Sequence, residues 1–249
     1  MSEEIEERLL REIEELREKI NSLEGKNVDG TPIYSFSKIS KNELETLVDI
    51  EKEIDRDRFD IWFNNSIEVS KEIEEFFKIL IDENEAIIYD YNEEDLKVNF
   101  IIPILNRVKF KSFDNKFRAF YELPLRYETD KFILQGTTDF VVSKGLTKSK
   151  KPYFFIQEFK KGQLNSYPEP QLLAELISAV ELNGWSSIKG AYIVGAIWNF
   201  VILERVERHK YIYYISSNFD STKLEDLKSI YRNLLYVKYE IIDMIKREL

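Results

Sequence analysis

Asp139 and the pair Glu158-x-Lys160 are the residues of this chain whose types and spacing best suit chemistry. The first lies in Leu134-Gln-Gly-Thr-Thr-Asp139-Phe-Val-Val142 and the second in Tyr153-Phe-Phe-Ile-Gln-Glu158-Phe-Lys160, two stretches that read as strands. Side chains alternate along a strand, so Glu158 and Lys160 share one face while Gln157 and Phe159 share the other. If the strands pair, Asp139 joins Glu158 on that face. Two carboxylates placed together hold a hard, oxygen-seeking cation such as Mg²⁺, with an ammonium beside it. Such a set suits cation-assisted attack on a phosphate.

The bare spacing is common in a chain that is 33% charged: Glu24-Gly-Lys26, Asp95-Leu-Lys97, Asp114-Asn-Lys116 and Asp226-Leu-Lys228 repeat it. The setting of Glu158 distinguishes it. Pro152 to Ile156 lead into it as an apolar run of a buried strand, and Asp139 is flanked by Phe140, Val141 and Val142. Buried charge is costly unless paired or metal-bound. The plain alternative, an inert ion-pair cluster at a sheet end, would bear that cost without a function.

Cysteine is absent, which excludes disulfides, thiolate metal sites and thiol nucleophiles, and the single histidine, His209, excludes an HExxH zinc site. His209 is expected in an exposed hairpin turn. The acidic start lacks the layout of a signal peptide, and no apolar run reaches the ~18 residues of a membrane span, so a soluble, cytoplasmic protein is expected. The net charge of −10 is unevenly spread: residues 1–100 carry a balance of −16 and residues 101–249 one of +6. The basic half includes Lys109, Lys111 and Lys144, with Lys148, Lys150 and Lys151 in the turn between the two site strands and Lys161 just past the second. Basic groups flanking a metal site can hold nucleic-acid phosphates, and Lys109, Lys111, Lys144 and Lys161 are the candidates for that contact.

The elements that must position these residues follow from periodicity. Residues 1–25 read as an amphipathic or coiled-coil helix, with Leu9, Ile13, Leu16, Ile20 and Leu23 at heptad spacing, able to form a homodimer through residues 5–23 or to pack on its own domain. Residues 26–37 read as a linker and 38–91 as a helical subregion. In the latter, Ser40 caps one helix bearing Leu44, Leu47, Val48, Ile50 and Ile54, and a second runs from Ile67 to Ile81. Asn92 then caps a helix that Pro103 kinks or ends. Strands are expected at 118–127, 132–142 and 152–160, a helix at 168–183, strands at 191–198, 200–206 and 211–216, and a closing helix from about Thr222.

This order, with Asp on the second strand and Glu-x-Lys on the third, resembles the PD-(D/E)XK nuclease superfamily. Within it the chain looks most like prokaryotic members related to the N-terminal nuclease module of type I restriction subunits and to the RecB-like branch. The segments that carry the resemblance are Asp95 to Leu105, Gly136-Thr-Thr-Asp139-Phe-Val-Val142, Pro152 to Lys161, and Gln171-Leu-Leu-Ala-Glu175-Leu176. The resemblance implies an α/β (α+β) fold with a restriction-endonuclease-like αβββαβ core. A mixed central sheet flanked by helices would occupy residues 92–249 as a nuclease-like domain.

The resemblance further implies that Asp139 and Glu158 ligate Mg²⁺ or Mn²⁺ with the Phe159 carbonyl, that Lys160 orients the attacking water, and that Gln171 supports the site. Glu175 departs from the family, which often has Tyr there, and the family's acidic residue on the first helix could be Glu94, Asp95 or Asn99. The implied activity is hydrolysis of a nucleic-acid phosphodiester, DNA foremost. The alternative is a catalytically inactive module of the same fold that binds nucleic acid or a protein partner.

Overall fold

The computed structural model describes residues 29–55, 57–160 and 168–247, with isolated positions between 9 and 27. Of the expected heptad seam it describes Leu9, Ile13, Leu16 and Ile20, each helical and exposed; Leu23 of that seam, and Lys161, lie outside the described residues.

The chain begins with β1 (Ile33–Ser35), α1 (Lys41–Leu47), β2 (Asp49–Lys52), α2 (Asp60–Phe63) and α3 (Lys71–Asn84). Next come α4 (Glu93–Leu96), a π-helical turn over Lys97–Ile101, α5 (Ile102–Val108), β3 (Lys111–Ser112) and β4 (Phe117–Glu128). Then follow β5 (Ile133–Lys144), β6 (Lys150–Lys160), α6 (Pro168–Asn183), β7 (Ser187–Val194) and β8 (Ile197–Glu207). The remainder is β9 (Lys210–Ile215), β10 (Phe219–Asp220) and α7 (Leu224–Arg247). Together they make an α+β fold on one mixed ten-stranded sheet, ordered β2-β9-β8-β7-β6-β5-β4-β3, with β1 beside β5 and β10 beside β8. Among the described residues no helix is long and apolar enough to cross a membrane.

Strand alternation divides the core between the two faces of the sheet. Phe140, Val142, Phe155 and Phe159 face α5 and α7, whereas Val141 and Ile156 face α6. From Leu172 to Val180 α6 is buried throughout, as a helix that is apolar nearly all round must be. Its close seat depends on Gly190 of β7, where a Cβ would lie 2.9 Å from the Ile156 carbonyl oxygen and 3.0 Å from Leu176.

The strands of the β4-β5-β6 meander are antiparallel and β6 pairs with β7 in parallel. Pairing of β5 with β6 runs only from Lys144 back to Phe140↔Gln157. Beyond that point the strands part, and Ile133–Gln135 of β5 pair with β1 instead. Gly136 lies in this fork, where a Cβ would come within 2.8 Å of the Phe36 ring.

Several boundaries differ from expectation. The stretch expected as a linker supplies β1, and the helix begun at Ser40 stops at Leu47, so Asp49–Lys52 becomes a strand parallel to β9. Both are short edge strands whose conformation is set by the partner they pair with, not by their own periodicity. The strand expected at 191–198 ends at Val194, because Gly195 turns the chain at φ 60°. Pro103 sits in the first turn of α5, where its missing N–H costs little, and the π turn before it takes up the expected kink. His209 occupies the β8–β9 turn as expected, at φ 62°, but half-buried against Tyr127.

Candidate active site

The fork between β5 and β6 is where the charged residues meet. Extending the Phe140↔Gln157 register by one places Asp139 opposite Glu158, both on the α6 side. Asp139 fills the space the ladder leaves: its Oδ2 accepts the Phe159 backbone N–H at 2.8 Å. In an extended residue N–H and C=O project to the same side, so the Phe159 carbonyl faces the same gap.

Glu158 is fully buried. The Lys160 ammonium stands 2.8 Å from its Oε1, yet neither Glu158 oxygen receives a well-aligned hydrogen bond. Burial pushes its carboxyl up to about 8, the nearby Asp139 pushes the same way, and Lys160 only partly offsets them. Burial lowers Lys160, but Glu158, Glu93 and Asp139 together outweigh it, so its ammonium titrates above the ordinary lysine range.

Helix α6 places a third carboxylate in the same region. Glu175 is fully buried; its Oε1 accepts from Gln171 Nε2 at 3.2 Å and its Oε2 has no hydrogen-bond partner. Burial, then the charge of Glu158, holds this carboxyl well above the usual range. Gln171 is buried as well and acts on Glu175, one turn along the helix.

The fourth wall comes from α4 and the π turn. Lys97 Nζ donates to Asp139 Oδ1 at 2.9 Å and stands 3.5 Å from Glu93 and 3.9 Å from Glu122. Glu93 also lies 3.8 Å from Lys160. Glu122 sits at φ 49°, skipped by the β4–β5 pairing at the level of Asp139. A non-glycine residue held in that region is strained, and π turns in helices recur at functional sites.

The sequence-derived set divides accordingly. Asp139, Glu158, Lys160 and the Phe159 backbone come together, with Gln171 one step removed. The acidic residue that α4 contributes is Glu93, not Glu94, Asp95 or Asn99, all exposed; Asp95 is tied to the Asn92 cap. Residues four apart share a helix face, so Glu93 and Lys97 arrive together, a signal present in the sequence but unread. Lys144 does not flank the site: it lies five residues along β5 from Asp139, roughly 17 Å at the strand rise. The turn carrying Lys148 and its neighbours is at that same far end, because the hairpin closes away from the fork.

Two fully buried carboxylates, Glu158 and Glu175, and the partly buried Asp139 thus lie near two ammonium groups, with Glu93 and Glu122 at the rim. Among the described residues no three acidic or histidine side chains are already drawn together as a cation cage. Asp139 is turned to Lys97 and the Phe159 amide instead, and Glu158 to Lys160. The donor set nevertheless fits a hard divalent cation, since Oε2 of Glu158 and Oε2 of Glu175 are buried without a hydrogen-bond partner and Glu158 Oε1 has only the Lys160 ammonium beside it, a costly state that a cation or protons relieve. No known family profile matches the chain and no curated protein is similar enough to count as a relative, so the functional reading rests on this geometry.

Proposed function

We propose that the chain is a divalent-cation-dependent nuclease that hydrolyses nucleic-acid phosphodiester bonds, DNA foremost. The observation that carries this reading is the pair of fully buried glutamates, Glu158 and Glu175, each with its Oε2 left without a hydrogen-bond partner, near Asp139 at the β5–β6 fork. The succession helix, β4, β5, β6, α6, β7 around that fork supports the PD-(D/E)XK resemblance, with Asp139 on the second strand and Glu158 and Lys160 on the third.

Asp139, Glu158 and the Phe159 carbonyl would hold Mg²⁺ or Mn²⁺, with Glu175 as a further oxygen donor. When bound, such an ion polarises a phosphoryl oxygen and lowers the pKa of water towards neutrality. The protein's own groups do the rest. Lys160, fixed between Glu158 and Glu93, orients the water and balances charge on the phosphate. Lys97 fixes the Asp139 carboxylate, and Gln171 fixes Glu175. The fork is closed on the α6 side by apolar residues that exclude bulk water, which strengthens each of these interactions.

Cleavage of supercoiled plasmid, linear duplex, single-stranded DNA and RNA with Mg²⁺, Mn²⁺ or EDTA tests the reading, beside Asp139→Ala and Lys160→Ala proteins. Cation-dependent cutting lost in both variants supports it. No cutting of any substrate, together with no Mn²⁺ site by calorimetry, replaces it with a binding module of the same fold.

A further inference from the structure

On the opposite face of the sheet from Glu175 lies an open cleft of about 450 Å³, between the end of α5 and strands β3 and β4. Its lining combines cations, Lys109, Lys111 and Arg118, with aromatic rings, Phe113, Tyr121 and Phe140. Two of the rings face solvent: Phe113 is 68% exposed and Tyr121 43%. Exposed rings grouped at a cleft, unlike apolar residues scattered singly, mark a candidate binding site.

The cations are arranged for an anion. Among the described residues no ion pair joins Lys109, Lys111 or Arg118 to an acid, although acidic residues outnumber basic ones in the chain, 46 to 36. Lys111 stands 4.7 Å from the Phe113 ring centre, so charge and ring form one unit. Lys238, bonded to the Val108 carbonyl, adds a further charge near Lys109; its ammonium is held below the ordinary range by burial and by that neighbour. Arg118 is already engaged, its guanidinium bonded to the Leu146 and Ala119 carbonyls and stacked on Phe120, so Lys109 and Lys111 are the cations of this lining left to an anion.

The cleft also lies close to the fork along β4 and β5. Tyr121 pairs across the ladder with Phe140, the residue after Asp139, and packs edge-on against its ring at 5.3 Å. The next residue of β4 is Glu122, already within reach of Lys97.

We propose that this cleft seats unpaired nucleotides of a single-stranded nucleic acid, with bases on Phe113 and Tyr121 and phosphates on Lys109 and Lys111. Aromatic side chains stack on bases whose faces are free, and a duplex keeps those faces covered. An acidic peptide would satisfy the cations but leave the rings without a flat partner. The inference rests on the nuclease reading for its purpose, because the cleft then feeds a single strand to the Asp139–Glu158 fork.

Fluorescence anisotropy tests it in EDTA, so that nothing is cut, with a labelled oligothymidine and a duplex of equal length. Wild type is expected to bind the single strand more tightly, with affinity falling steeply as salt rises. Phe113→Ala is expected to weaken single-strand binding about tenfold and leave duplex binding unchanged. Lys109→Glu with Lys111→Glu is expected to weaken both and flatten the salt dependence. Circular dichroism melts establish that each variant is folded. Equal binding of both forms, unaffected by Phe113→Ala, overturns the proposal. Absence of binding while the wild type still cuts overturns it too, yet leaves the nuclease reading intact. Single-strand binding with the expected variant effects, in a protein that cuts nothing, supports the cleft and defeats the nuclease reading alone.

Discussion

The Lys97 ammonium donates a 2.9 Å hydrogen bond to Oδ1 of Asp139, a carboxylate that sits 42 residues away and belongs to a strand, not a helix. With Phe159 N–H on Oδ2, both oxygens of Asp139 are engaged before any cation arrives. Burial alone would pull the Lys97 ammonium down, but Asp139 and then Glu93 outweigh it, so Lys97 stays charged well beyond neutral pH. A fixed positive charge on a prospective ligand competes with a divalent cation. Lys97→Met is therefore expected to tighten Mn²⁺ binding by about tenfold, near 1.4 kcal/mol. It should also lower the melting temperature in EDTA, because Asp139 is left half-paired. Isothermal titration reads the first effect and a thermal melt the second; weaker Mn²⁺ binding in the variant would show that Lys97 helps to build the cation site.

How much of this was legible in the sequence follows from which contacts are periodic. Strand alternation was enough to put Glu158 and Lys160 on one face, and the hairpin between Val142 and Tyr153 made their pairing with Asp139 the natural register. Glu93 and Lys97 were not legible as site residues, because their spacing marks one helix face but not where that face docks. Lys97 stood in a repeated acid-x-Lys pattern that discounted it. Lys144, Lys148, Lys150 and Lys151 lie away from the site for all their proximity in sequence: two antiparallel strands joined by a short turn carry that turn at one end, and Asp139 stands at the other. The short strands β1 and β2 were hidden for a different reason, since three or four residues carry no periodicity and gain their conformation from β5 and β9.

Glu175 distinguishes this site from its resemblance. Its carboxyl is held well above the ordinary range by burial and by Glu158, so the cation-free fold favours the protonated form, with which Gln is nearly isosteric. Glu175→Gln is expected to fold with a melting temperature close to wild type at pH 7. It should lose cation affinity by at least several-fold, because an amide oxygen brings no charge to the ion. Calorimetric titration with Mn²⁺ checks this, and unchanged affinity would remove Glu175 from the donor set.

Gly190 positions Glu175 from a distance. A methyl group there would press on the Ile156 carbonyl, which belongs to β6 and cannot give way without moving the strand that carries Glu158, and on Leu176 of α6. Gly190→Ala is expected to destabilise the fold by roughly 1–3 kcal/mol, the usual cost of forcing atoms into a packed core. Urea denaturation measures it. Gly184, where a Cβ meets nothing within 4 Å but φ is 70°, serves as the control: Ala there strains the backbone without touching the site.

The pH dependence follows from Glu158. Its carboxyl is raised from 4.5 to about 8 by burial first and by Asp139 second, so the cation-free fold favours the protonated form. For an acid raised on folding, the stabilising contribution is complete below the unfolded value and is lost as pH climbs through the folded one. Glu175 acts in the same direction. The raised ammonium groups of Lys97 and Lys160 remain protonated across this window and contribute no slope to it. In EDTA the melting temperature is therefore expected to fall between pH 5 and pH 8 by about 5 °C more in wild type than in Glu158→Gln, a difference on the order of 2 kcal/mol. Mn²⁺, which requires the ionised carboxylates, should bind more tightly as pH rises over the same interval and reverse the loss. Differential scanning fluorimetry across that range decides the matter: parallel pH profiles for wild type and Glu158→Gln would mean that Glu158 is already ionised in the folded chain, held by Lys160 alone.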